Sequence, residues 1–250
     1  MLTTKNFDAG GYRYIPAVFQ YSSGVAALPG YRLERVRFSR LLPMAEGWAR
    51  IRAHLGALDR PLTAFAGCEL RSNAPFSEGG FRDFNLGYIG TLREWGILEG
   101  EDNPVARSNV CPELAPPTES GFHAFTYTVP DADAAPSFLI AGGAETGKGA
   151  TLQERIIAYD DTSPAGMRAK ALQTLGEMER RLAAFGFGWS DTTAVQAYTV
   201  FDLYPFFLDE ITRRGAADNG LTWHPCRPPV QKIDFEMDCR GLGREYVLKA

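Results

Sequence analysis

One order of elements occurs twice along the chain, and it leaves few architectures open. In the first half, strand-like residues run over 14–26 and 31–38, and Pro43 stands where helices often begin. Ala45, Trp48, Ile51, Leu55 and Leu58 then recur at spacings of three and four, the stripe of an amphipathic helix. A strand over 62–70 follows, then a second stripe of Phe81, Phe84, Tyr88, Leu92 and Trp95. PVARSNV at 104–110 reads as a loop carrying Arg107, and the alternating run FHAFTYTV at 122–129 closes the half.

After the linker-like PDADAAP at 130–136 the order returns. SFLIAGG is strand-like up to Gly142 and Gly143. Ser163 before Pro164 gives an N-cap and first-turn signal, and Gly186 a C-terminal stop. Residues 192–200 are β-rich, a helix is expected over 203–214, the loop PCRPPV carries Arg227, and IDFEMDCRG alternates to the end. The stretch ATLQERIIAYDD reads as strand. A short period would mean a solenoid; here it exceeds roughly 100 residues, which means duplication of a domain. The expected fold is α+β: two tandem modules, 1–130 and 131–250, each a mixed β-sheet with two helices packed on one face.

Composition narrows the function classes. The chain has 250 residues, is 45% hydrophobic and carries a net charge of -4, so it can bury a core but shows no basic footprint for nucleic acid. No run of about 18 apolar residues exists to span a membrane. The start MLTTKNFDAGG has no apolar secretory core. Cys68, Cys111, Cys226 and Cys239 are scattered, as expected of reduced thiols in the cytoplasm. His54, His123 and His224 form no metal signature, and no metal or other cofactor is expected. GGAETGKG at 142–149 resembles a phosphate loop, but Gly149 stands where Ser or Thr must hold magnesium, so it reads as a hairpin loop.

Three features point to chemistry. Arg107 and Arg227 occupy matching contexts, and a guanidinium offers a rigid fork of donors to a carboxylate. Asp234, Glu236 and Asp238, at spacing two, share one strand face and repel each other unless that face meets solvent, a cation or a catalytic task. Such an acid near an arginine can hold water or relay a proton. Ser23 with Gly24, and Ala141 with Gly142, end matching strands, where a hydroxyl or free N–H could bind a carboxylate or oxyanion. Asn85, three residues before Tyr88, is a further candidate ligand contact, as is Ser108 beside Arg107.

SGV near a strand end, a helix containing FN..Y, PVARSNV and the acidic closing strand together resemble the Rid (YjgF-type) family, over nearly the whole chain. The run from GGYRYIP through NPVARSNVCPE to RPPV and DFEMD is most similar to its aminomuconate deaminase group. The resemblance implies a chorismate mutase-like fold in each half and a homotrimer with clefts between subunits. It implies hydrolysis of an enamine or imine on a small anionic substrate, with no cofactor. It makes Arg107 or Arg227 the carboxylate clamp and Glu236 or Asp238 the water-holding acid. The chain departs from the family pattern at Ala141, usually serine, and in lacking an acid on the first closing strand. A non-catalytic carboxylate-binding protein on the same scaffold is the alternative; a ribonuclease fits the acidic charge poorly.

Overall fold

A computed structural model describes residues 2–249. Two mixed sheets form the centre. The six-stranded sheet is built on β4 (Tyr31–Pro43), β5 (Phe65–Arg71), β6 (Ala106–Pro112) and β7 (Gly121–Pro130). The seven-stranded sheet is built on β8 (Phe138–Ala144), β9 (Ala194–Tyr198), β10 (Leu221–His224) and β12 (Glu236–Gly241). Their cores run β6-β5-β7-β4 and β10-β9-β12-β8, in the same order. The sense also repeats: β5 and β6 are parallel, as are β9 and β10, and the other neighbours are antiparallel.

Strands cross residue 130 in both directions. β1 (Lys5–Phe7), β2 (Tyr12–Tyr14) and β3 (Gly24–Ala27) join the seven-stranded sheet, with β3 against β8. β11 (Cys226–Arg227) and β13 (Glu245–Leu248) join the six-stranded sheet, against β6 and β4. The expected unbroken strand over 14–26 is therefore two strands with a turn between, because the Ser23 amide donates to the Ile15 carbonyl and the Ile15 amide to the Gly24 carbonyl across it.

Helices cover one face of each sheet. α1 (Met44–Ala57) and α2 (Glu78–Glu94) bury Ile51, Leu55, Tyr88, Ile89 and Leu92 against the six-stranded sheet. α4 (Pro164–Phe185) buries Met167, Ala171, Leu175, Met178 and Leu182 against the other, each large side chain contributing about 1.5–3 kcal/mol. Its ends are as expected: the Ser163 hydroxyl accepts from the Gly166 amide, and Gly186 takes the left-handed conformation at φ 83°. The helix expected over 203–214 breaks into α5 (Tyr204–Phe206) and a π-helical turn, Phe207–Thr212. The strand expected in ATLQERIIAYDD is instead the short helix α3 (Leu152–Arg155), because Thr151 and Glu154 close a capping box. Among the described residues no helix is long and apolar enough to cross a membrane.

The other faces of the two sheets meet each other. Ala66, Ala106, Leu33, Val25, Leu139 and Ala141 form an apolar seam between them. Gly67 permits the close approach: a Cβ there would lie 2.5 Å from Leu139 Cδ2. Polar groups fill the rest of this layer. Arg35 grips Glu69 with two hydrogen bonds of 2.5 and 2.9 Å, and the Arg71 guanidinium lies 5.6 Å from the Tyr198 ring centroid. A second buried cluster sits under α4, where Lys170 Nζ lies 3.1 Å from Asp234 and 3.5 Å from Glu145. Glu145 also accepts from the backbone amides of Asp234 and Phe235, which ties the end of β8 to the entry of β12.

Candidate active site

β6 from the first half and β8 and β12 from the second enclose a cavity of about 130 Å³, with α2 and α4 contributing Phe81 and Arg181 to its lining. Arg107 lines it from β6, so it lies in a strand where a loop was expected. The reason is its pairing: parallel hydrogen bonding to β5 sets Arg107 opposite Cys68. The side chain is buried, and neither terminal nitrogen, Nη1 or Nη2, has a hydrogen-bond partner. Aromatic rings surround it instead, with centroids at 4.7 Å (Tyr88), 5.1 Å (Tyr21), 5.6 Å (Phe81) and 6.0 Å (Phe84). The rings stabilise the cation but leave its hydrogen-bonding edge unused. A buried guanidinium with both terminal nitrogens unspent has the donors to take a carboxylate.

Glu236 lines the same cavity from β12. Burial, reinforced by the negative charges of Asp238 and Glu145, pushes its carboxyl up to about 8. It therefore holds a proton near neutral pH and can exchange it, the property wanted of a general acid–base. Gly142 makes room for it: a Cβ there would lie 2.1 Å from Glu236 Oε1. That close approach is what glycine supplies at this place in the strand.

Asp238 shares the strand face with Glu236 but does not line the cavity. It accepts from the Ser108 hydroxyl at 2.6 Å, Gln196 Nε2 at 2.7 Å and the Tyr198 hydroxyl at 2.9 Å. Burial and the Glu69 charge raise its proton affinity, while Ser108, Arg240 and Gln196 oppose that rise. Ser108 thus spends its hydroxyl on Asp238 and joins the two sheets. Asp234 precedes the strand and belongs to the Lys170 cluster, so the three acids do not form one row.

Ser23 and Gly24 are buried between strands and lie outside the cavity lining. Ser23 uses its backbone on Ile15 and Ala141, and a Cβ on Gly24 would lie 3.0 Å from the Leu139 carbonyl oxygen and 3.2 Å from Phe185. Asn85 is fully buried, and neither of its amide atoms has a partner. Its helical spacing from Phe81 and Tyr88 puts it on the side of α2 that cages Arg107.

Arg227 sits elsewhere. It lies on β11 at the edge of the six-stranded sheet, opposite Cys111, and forks onto Glu113 at 2.7 and 2.9 Å. The strand that matches β6 by order and sense is β10, which carries no arginine, so Arg227 is not the counterpart of Arg107. Its ion pair is about 40% exposed on both sides, and such pairs contribute at most about 1 kcal/mol. R227A is expected to keep full catalytic activity; a loss beyond twofold in steady-state assays would give this arginine a role its position does not.

Sequence reasoning missed Tyr21, Arg181 and the Phe81–Phe84–Tyr88 cage. The aromatic stripe was visible, but a stripe reads as core until a cation is seen against it. Arg181 Nε binds Glu177 and Nη1 binds the carbonyls of Ala141 and Gly142, fastening the strand that admits Glu236. Among the described residues no group of three or more His, Cys, Asp or Glu side chains could hold a metal.

A caged arginine with a free edge, sharing one small cavity with a proton-holding carboxyl, is the equipment of an acid–base enzyme acting on an anion. The model for the family 2-aminomuconate deaminase CnbZ matches residues 4–246, and the chain belongs to that family. The 2-amino-5-chloromuconate deaminase of Comamonas testosteroni is 51% identical over 245 residues, covering 97% of this chain and 98% of that protein. Among solved structures, a chorismatase aligns over 96% of this chain and 85% of its own, at 12% identity and a TM-score of 0.49. The YjgF gene product of E. coli aligns over 43% of this chain and 81% of its own, at 15% identity and a TM-score of 0.30.

Proposed function

We propose that this deaminase hydrolyses the carbon–nitrogen bond of an enamine carboxylate, 2-aminomuconate or its 5-chloro analogue, releasing ammonia. The observation that carries the reading is the unspent guanidinium edge of Arg107 in the cavity that Glu236 also lines. Arg107 takes the carboxylate next to the amino-bearing carbon in a two-pronged hydrogen bond, while Asn85 lies outside the cavity lining. The clamp draws electron density from the adjacent carbon.

Glu236 then runs the proton cycle. In its protonated form it delivers a proton to the enamine carbon, giving an iminium and a carboxylate. That carboxylate takes a proton from water as the oxygen bonds to the iminium carbon. The same proton passes to the nitrogen, ammonia departs as the carbon–oxygen double bond forms, and Glu236 accepts the hydroxyl proton left behind. The balance is one water consumed, one ammonia and one 2-oxo acid formed. An iminium carbon is electrophilic by itself, so the steps draw only on groups of this chain. Asp238 does not touch the cavity and serves to raise the proton affinity of Glu236.

The working cleft in this reading is a composite of both halves, read as two Rid-like modules that exchange strands. Trimeric assembly and a cytoplasmic location remain expectations of the family resemblance. The purified chain, with no added cofactor, is expected to release one equivalent of ammonia per 2-aminomuconate consumed. Saturable binding without ammonia release would favour the non-catalytic carboxylate-binding alternative.

A further inference from the structure

A second cavity, of about 330 Å³, adjoins the one around Arg107 and shares Phe81, Thr146, Val230 and Ile233 with it as a common wall. The outer one carries Arg82 and Arg155. Arg82 makes no hydrogen bond or ion pair among the described residues. Arg155 pairs with Glu78 through one terminal nitrogen, and its Nε is buried without a partner. Glu78 also lines this space, but it offsets only one of the two cations.

We infer that this outer cavity is a subsite for the second carboxylate of a linear dicarboxylic substrate, with Arg82 and the free Nε edge of Arg155 as its ligands. The inference rests on the deaminase reading above and adds what selects the substrate. Arg107 fixes one end at the reacting carbon, and the carbon chain runs past Phe81 to the outer cations. Arg181, the other arginine of the inner cavity, is less suited to that role, because Glu177 already offsets its charge and Nη1 is spent on two backbone carbonyls. Arg82 is exposed and uncompensated, so it attracts an anion at the entrance and holds it there.

The test compares 2-aminomuconate with its half-ester, in which the carboxylate remote from the amino carbon is a methyl ester. Wild type should prefer the diacid by roughly tenfold or more in kcat/KM, the range of one charge-assisted contact. R82A and R155A should each draw that ratio towards one. An unchanged ratio in both variants overturns the subsite. In parallel, calorimetric titration with cis,cis-muconate and its monomethyl ester reads the same preference without turnover. If wild type releases ammonia from neither substrate, the deaminase reading falls, and the titration still decides the subsite: equal affinity for diacid and half-ester in wild type rejects it. Melting curves confirm that the variants are folded, as expected for residues on the rim.

Discussion

E236Q is expected to lower turnover by about 10²–10⁴-fold while leaving substrate binding nearly intact. Glutamine keeps the shape beside Gly142 but can neither give nor take the proton. The pH profile of wild type should fall on its alkaline side near 8, where burial places the Glu236 carboxyl. Stability must also fall with rising pH, over a wider window. The ordinary value of this carboxyl is 4.5 and its folded value about 8. Between those pH values the folded chain keeps a proton that the unfolded chain has released. Wild-type stability therefore declines through this group as pH rises from 4.5 to 8, at up to about 1.4 kcal/mol per unit of difference. E236Q lacks that penalty. Its stability advantage over wild type should be small near pH 4, grow up to pH 8 and level off beyond, as read from melting temperatures across the range. A constant difference across that window, or retained turnover, would show that Glu236 is not the buried proton carrier.

The second large effect is at Arg107. R107M is expected to lose roughly 10²–10³-fold in kcat/KM, mostly through KM, because a desolvated charge pair with the substrate carboxylate contributes about 2–5 kcal/mol. Methionine fills the aromatic cage without a buried cation, so the variant should melt no lower than wild type. R107K keeps the charge but loses the planar fork and the stacking on Tyr88, and should recover little of the activity. Full recovery by lysine would mean that charge alone matters. Unchanged KM in R107M would place the carboxylate elsewhere.

Much of the fold was legible because its signals are local. The stripes of α1, α2 and α4 follow from helical spacing, and Ser163 and Gly186 mark helix ends through bonds to residues within one turn. The alternation that puts Glu236 and Asp238 on one face is a property of any extended strand. The π-helical turn over 207–212 and the capped turn at 152–155 were misread where short-range periodicity is ambiguous. The site was half legible. Arg107 and Glu236 could be named as candidates, but Arg227 had equal standing on sequence context.

What the chain's own order of residues determined was the kind of elements present and the candidate groups, Arg107 in the first half and Arg227, Glu236 and Asp238 in the second. Only the tertiary structure decided which arginine meets which acid. Strand partners are chosen by hydrogen bonds between segments remote in sequence. The exchange that sends β11 to the edge of the six-stranded sheet pairs Arg227 with Glu113 at the surface. The packing of the two sheets face to face brings Arg107 and Glu236 to one cavity, where burial leaves the guanidinium edge unpartnered and holds the proton on the carboxyl.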